Sequence, residues 1–390
     1  MNSLYVDIGY QSLNKFGESL CGDTVEVVER TDGQAILVLA DGLGSGVKAS
    51  ILSTLTAKII AKMMGEAMSL EECIHAIAAT LPVCEVRKIA YSTFTVICIA
   101  SNNVAEILQY DNPHVILLRG GVHVEFEKTS QAIGDKLIYK SRISLCEGDI
   151  LIAVSDGAIN AGVGKTLNFG WQRSHIIDYM EGLYHNNFSA KALTTALLEQ
   201  CDLLYKGEPG DDTTICTVRI CKRRPLNLMI GPPANPADVS RMMSLFFSKQ
   251  GKRIVCGGTT SMLAAEFLGE ELITELDYID PHIPPVAKIK GIDLVTEGVV
   301  TFSQVLTYAR DYLGKNKFYM DWRTKKDGAS MIARMLFEEA TDINFCVGLA
   351  KNSAHQSSNL PIDFNIKMQL VDEMAESLRK MGKRVRLSYF

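Results

Sequence analysis

A chain of 390 residues with 47% hydrophobic content exceeds the usual size of one core and carries apolar material for two globular domains. Its 22% charged residues mix both signs for a net charge of only -5, so neither nucleic acid nor an anionic membrane is expected as a partner. No basic segment leads into a long apolar one and the ten cysteines include no CxxC pair, so the expectation is a cytoplasmic protein with buried reduced thiols and no zinc or iron–sulfur site.

In chain order, Ala35–Ala40 (AILVLA), Thr93–Ala100, Val115–Arg119, Ile150–Val154 and Thr214–Ile220 predict strands, because these runs are short and dense in β-branched residues. Several are apolar on both faces and need cover on both sides, from a second sheet or from helices. Val47–Met64 reads as a helix with Leu52, Leu55, Ile59, Ile60 and Met63 on one stripe. Leu70–Leu81 and Ala190–Leu204 show the same period. Asp111-Asn112-Pro113 carries turn chemistry, and Gly120-Gly121 predicts a hairpin from Val115–Arg119 to Val122–Phe126.

The charged cluster Cys221-Lys222-Arg223-Arg224-Pro225 separates the last of these strands from a new apolar run, Leu226–Ile230. The domain boundary is therefore set there, giving domains 1–222 and 226–390. The second shows its own alternation through Arg253–Cys256, Ser261–Phe267, Ile292–Val295 and Phe302–Tyr312, and is expected to be a separate α/β domain that senses a ligand or docks a partner.

Three aspartates stand where apolar strands end. The run Ala35–Ala40 leads straight into Asp41-Gly42-Leu43-Gly44-Ser45-Gly46, and Ile150–Val154 into Ser155-Asp156-Gly157. Gly210-Asp211-Asp212 immediately precedes Thr214–Ile220. A single Asp-Gly after a strand is most often a turn. Three carboxylates at the ends of buried strands, however, are costly unless a cation neutralises them, and oxygen donors suit Mg²⁺ or Mn²⁺. Glycine at position 42 lets the backbone approach a ligand and offer its carbonyl. Two ions sharing one carboxylate would acidify a water and balance charge on a phosphoryl group, which is phosphate-ester hydrolysis without a covalent nucleophile.

In order, Gly22-Asp23, Asp41–Gly46 with Ala49, Tyr91-Ser92-Thr93-Phe94-Thr95, Asn112-Pro113-His114, Ile133-Gly134, Gly148–Leu151, Ser155-Asp156-Gly157, Phe169-Gly170 and Gly210–Thr214 resemble the PP2C-type phosphatases of the bacterial SpoIIE/RsbU branch, over about residues 1–221. That resemblance implies two packed β-sheets flanked by helices, with two Mn²⁺ or Mg²⁺ ions between the sheets. It implies that Asp41 bridges the metals, that the Gly42 carbonyl contributes, that Asp156 and Asp211 complete the ligands, and that Asp23 reaches the second metal. It also implies a substrate: phosphoserine or phosphothreonine on a regulatory protein such as a STAS-type anti-sigma factor antagonist. Ser45 stands where many relatives carry histidine, and a role for Asp212 is left open. The alternative reading is a non-catalytic scaffold that binds a ligand or partner through its C-terminal domain.

Of the remaining candidates, His114 beside Pro113 is read as structural. Gly162-Val163-Gly164-Lys165-Thr166 lacks the spacing of a phosphate-binding loop and is assigned to a variable flap. In the second domain, Gly257-Gly258-Thr259-Thr260-Ser261 links a strand to an apolar helix and is the candidate site for a small anion or nucleotide, faced by Asp293–Gly298. The basic end, Arg379–Arg386, is read as a solvated helix end followed by a terminal strand. Homodimerisation is left open.

Overall fold

The computed structural model describes residues 4–390 apart from 67, 69–71, 74–75, 77–91, 134–135, 185–187, 275–279, 315 and 351–361. The chain divides into two compact units, Met1–Lys222 and Arg223–Phe390.

The first unit holds two antiparallel sheets. One runs β1 (Leu4–Leu13), β11 (Thr213–Lys222), β10 (Ile150–Val154), β6 (Ile116–Arg119) and β7 (Val122–His123). The other runs β2 (Asp23–Glu29), β3 (Ala35–Gly42), β4 (Ser92–Ile99), β5 (Val104–Tyr110), β9 (Lys136–Ser144) and β8 (Thr129–Ile133). Side chains alternate between the faces of a strand. Leu37 and Leu39 therefore meet Leu117, Leu151, Ala153, Cys216 and Val218 of the opposing sheet in a shared core. Ile36, Val38 and Ala40 point outward under helix Gly46–Gly65. Ile150, Ile152 and Val154 lie under helices Arg173–Leu183 and Ala190–Tyr205. The result is a four-layered sandwich, helix on sheet on sheet on helix.

The predicted helix over Val47–Met64 forms as Gly46–Gly65, but its buried stripe is Ala49, Ser53, Thr56, Ala57, Ile60, Ala61 and Met64, and Leu55 faces outward. Small residues win that face because the helix sits close to the sheet. Leu70–Leu81 lies largely outside the described residues. The Gly120-Gly121 hairpin pairs Leu118 with His123 and Arg119 with Val122. Strands β1, β2, β5 and β9 were not expected. Polar residues interrupt their apolar ones, as in Lys136–Ser144 (KLIYKSRIS), so they escape a search for continuous apolar runs.

In the second unit, β12 (Pro225–Ile230) is the sheet's centre. It pairs in parallel with β13 (Lys252–Cys256) on one side and β17 (Asp342–Val347) on the other. β16 (Leu294–Thr296) extends the sheet beyond β13, and β18 (Arg384–Tyr389) beyond β17, both in parallel. The short strands β14 (Ile273–Thr274) and β15 (Ala287–Lys288) continue past β16. Helices Val239–Ser248 and Gly258–Leu268 cover one face through Met242, Met243, Phe246 and Ala264. Helix Val299–Leu313 brings Phe302 against Phe345. The chain thus winds outward from β12 to β16 and then restarts on the other side at β17, a doubly wound arrangement. No described helix is long and apolar enough to cross a membrane.

Because Leu39 is fully buried between the sheets, Leu39→Ala is expected to cost about 2–5 kcal/mol in urea denaturation. A loss below about 1 kcal/mol would contradict a close-packed inter-sheet core.

Candidate metal centre

The alternation that buries Leu37 and Leu39 continues to the next odd position of β3, so Asp41 projects from the same inner face. In register, Asp41 lies opposite Asp23 on β2 and Thr93 on β4. The facing sheet behaves likewise. Ser155 follows inward-facing Ala153, and Thr214 precedes Cys216. The Thr214 N–H donates to Ser155 Oγ at 2.8 Å, and the Ser12 and Thr214 hydroxyls are 2.7 Å apart. An apolar interior therefore ends, at one edge, in a polar layer supplied by both sheets.

Asp156 is the first residue of a short helical turn, Asp156–Ile159, and is exposed at the rim of this layer. The next residue must be glycine, since a Cβ at Gly157 would lie 2.1 Å from the Asp212 carbonyl oxygen. The Tyr205 hydroxyl fixes the turn by donating to the Gly157 carbonyl at 2.8 Å. Gly42 is equally constrained: a Cβ there would lie 2.1 Å from the Ala49 carbonyl oxygen, so helix Gly46–Gly65 closes on the strand end only over glycine. Ser45 turns away to donate to Glu18 Oε1 at 3.2 Å.

Asp211 sits in the loop before β11, where its Oδ1 accepts the Asp212 N–H at 3.0 Å and stands 3.9 Å from Lys15 Nζ. Asp212 is buried. Its Oδ1 accepts the Lys15 N–H at 3.0 Å, while Oδ2 lies against Gly22 with no hydrogen bond. Lys15 carries no signal in the sequence, and Ser155 and Thr214 stand there only as flanks of the Asp156 and Asp211 motifs, because each acts through a partner far away in the chain. Asp212 carried the signal of adjacency to Asp211. His114 packs edge-on against Tyr139 at 4.8 Å between ring centroids, and burial lowers its pKa, as do Lys128 and Arg173. Gly257–Ser261 belong to the second unit.

Burial pushes the Asp23 carboxyl up to about 7, reinforced by Asp212 and Asp156. The Ser155 and Thr214 hydroxyls offset part of that rise from close range, although neither Asp23 oxygen has a hydrogen bond of good geometry. Burial pushes Asp41 up to about 9, with the charges of Asp23, Asp156 and Asp211 adding to it. Asp156 is raised by the crowding of protein around it and then by Asp211; Asp211 is raised by burial, against the opposing pull of the Asp212 N–H and Lys15. These carboxylates cannot all ionise together without a counter-charge.

The donor set fits hard divalent cations. It is all oxygen, and Asp23 Oδ1, Asp23 Oδ2 and Asp212 Oδ2 are buried without partners. Among the described residues no three His, Cys, Asp or Glu side chains are gathered into a ready cage. Such a looser arrangement suits Mg²⁺-like ions, which retain waters between themselves and carboxylates.

The sign of the pH effect follows. An unfolded aspartate titrates near 3.8, and both Asp23 and Asp41 titrate higher in the folded chain. Folding therefore takes up protons, and their contribution is complete below about pH 4 and lost as the pH climbs through 7 and 9. In chelator-treated protein the Tm should fall between pH 5 and 8. Asp41→Asn should raise the Tm at pH 8 and flatten the slope; an unchanged slope would contradict the shifts.

Residues 31–221 match the family model for Stage II sporulation protein E (SpoIIE). The chain is 24% identical over 236 residues to Stage II sporulation protein E of Bacillus subtilis (strain 168), a match that covers 60% of this chain and 28% of that protein. The chain thus spans little more than a quarter of that relative's length. Among solved structures, it is similar to the SpoIIE phosphatase domain of Bacillus subtilis, at 22% identity and a TM-score of 0.45, over 57% of this chain and 95% of that one. It is also similar to the RsbU and RsbW domains of a Mycobacterium tuberculosis protein, at 16% identity and a TM-score of 0.49, over 62% and 68% of the two chains. The family match falls within the two-sheet sandwich and takes in Asp41, Asp156 and Asp211, so the first unit of this chain carries a domain that matches the SpoIIE family model.

Proposed function

We propose that the first unit is an active, divalent-cation-dependent phosphatase for phosphoserine or phosphothreonine on a regulatory protein. The observation that carries this reading is the convergence of Asp23, Asp41, Asp156, Asp211 and Asp212 at one edge of an apolar sandwich, with orphaned oxygens on Asp23 and Asp212 and raised pKa values at Asp23, Asp41, Asp156 and Asp211. A bound cation would account for keeping so many carboxylates together.

In this reading Asp41, the Gly42 carbonyl, Asp156 and Asp211 would hold two Mn²⁺ or Mg²⁺ ions, with Asp23 contributing directly or through water. When bound, the ions supply Lewis-acid activation of water and charge balance for a phosphoryl group. The remaining work belongs to the chain. Ser155 and Thr214 hold the Asp23 side of the site in register, and the hydrophobic layer behind Asp41 excludes bulk water. The exposed carboxylate of Asp156 marks the open rim at which a phosphorylated side chain enters. Lys15 steadies Asp211 and places a positive charge at that rim. A STAS-type anti-sigma factor antagonist is the substrate that the sequence resemblance implies.

The test is hydrolysis of a phosphoserine peptide with added Mn²⁺. Asp41→Ala and Asp156→Ala should each lower kcat/KM by about 100-fold or more, with the far-UV circular dichroism unchanged. Undiminished activity in both variants would refute the reading; absence of Mn²⁺ binding and turnover in the parent protein would favour a scaffold.

A further inference from the structure

The second unit carries an unused polar site at the carboxyl edge of its sheet. β13 and β16 are parallel neighbours, and each runs directly into a helix, Gly258–Leu268 and Val299–Leu313. Their turns touch: the Gly257 N–H donates to the Thr296 carbonyl at 2.9 Å, and a Cβ on Gly298 would lie 3.5 Å from Gly257 Cα. Two helix amino termini thus begin side by side, with free N–H groups and positive dipole ends.

Two buried hydroxyls in the first turns of these helices lack partners, and that of Thr260 faces the turn. Thr260 is 1% exposed and its hydroxyl has no hydrogen bond, yet it lies 3.4 Å from where a Gly257 Cβ would stand, so it faces the turn. Thr301, in the first turn of the second helix, is fully buried and equally unpartnered. Buried hydroxyls are rarely left so.

Glu297 decides the chemistry. Its Oε2 accepts the Gly298 N–H at 3.1 Å, and its Oε1 lies 3.6 Å from the Cβ position of Gly258, so one carboxylate spans both helix starts. A free anion here would face that carboxylate at close range, which disfavours the simple anion expected from Gly257–Ser261. A cation would face two positive dipole ends. What remains is a neutral group that donates hydrogen bonds, and a vicinal diol matches a carboxylate in bidentate fashion. Near the two helix starts Met262 is 64% exposed, Val300 59% and Val299 37%, so apolar side chains on both helices are available to a flat ring.

The sheet's order reverses between β12 and β17, where ligands of doubly wound sheets usually bind. That crevice is filled by its own backbone: the Gly348 N–H donates to the Ile230 carbonyl at 2.9 Å, the Ala350 N–H to the Pro232 carbonyl at 3.0 Å, and the buried Lys367 ammonium caps Gly348 and Ala350. The unsatisfied groups lie one strand away, at β13 and β16.

We propose that this edge of the second unit binds a ribonucleoside moiety, with Glu297 accepting the two ribose hydroxyls and Met262, Val299 and Val300 lying against the base. The test is isothermal titration of the full chain with adenosine, guanosine, cytidine and uridine, the 2′,3′-dideoxy analogue of whichever binds, and inorganic phosphate. At least one ribonucleoside should bind, its dideoxy analogue about 10-fold or more weaker. Glu297→Gln, an exposed change that leaves the fold intact, should weaken the ribonucleoside about 10-fold without changing the melting transition. Failure of all four to bind at millimolar concentration, equal affinity for the dideoxy analogue, or phosphate binding that improves in Glu297→Gln would each overturn the proposal.

Discussion

Everything proposed for the first unit depends on a single electrostatic constraint: carboxylates anchored where a hydrophobic sandwich ends. Two-residue alternation puts Asp41 on the face that buries Leu37 and Leu39, and antiparallel register sets Asp23 directly across from it. The opposing sheet delivers Asp156 and the Asp211-Asp212 pair to the same edge. Helix Gly46–Gly65 closes on one sheet over Gly42, and the Asp156 turn closes on the Asp212 backbone over Gly157. The glycines are thus fixed by packing as well as by any ligand. Burial and the neighbouring carboxylates leave Asp23 and Asp41 holding protons that they would lose in water. In the proposed reading a bound cation would reverse that instability, in line with active sites that trade fold stability for function.

The share of this that was legible in sequence follows a physical divide. Strands buried on both faces, such as β3 and β10, are continuous apolar runs and could be read directly; so could the aspartates that end them, because a charge after such a run is anomalous. The strands β1, β2, β5 and β9 have polar residues among their apolar ones and look like loops unless their partners are known. Asp23 illustrates the loss. Its place opposite Asp41 depends on register, which a single chain segment does not encode. Lys15 and the roles of Ser155 and Thr214 are hidden for the same reason, and the weight of Asp212 comes from its oxygen, buried without a partner. The helix over Gly46–Gly65 was legible as a helix, but its buried face was not: close approach to the sheet selects Ala49, Ala57 and Ala61 over larger residues such as Leu55.

The second unit repeats the lesson with opposite sign. The Gly257–Ser261 turn was visible as a strand-to-helix connection with hydroxyls, the usual mark of an anion site. The neighbouring turn changes its chemistry, because β16 delivers Glu297 across both helix starts. Local sequence gave the donors, and the acceptor came from tertiary structure. A doubly wound sheet with a carboxylate rather than an open anion nest at its edge suits a ligand recognised by hydroxyl groups and a ring.

The central claim is that protons stand in for cations at the aspartate cluster. Calorimetric titration of Mn²⁺ into the chelator-treated protein at pH 7, in two buffers of different ionisation enthalpy, tests it most directly. Binding should release about one proton or more per chain, since the raised carboxyls must ionise to take the metal. Binding without proton release, or no binding at millimolar Mn²⁺, would contradict it.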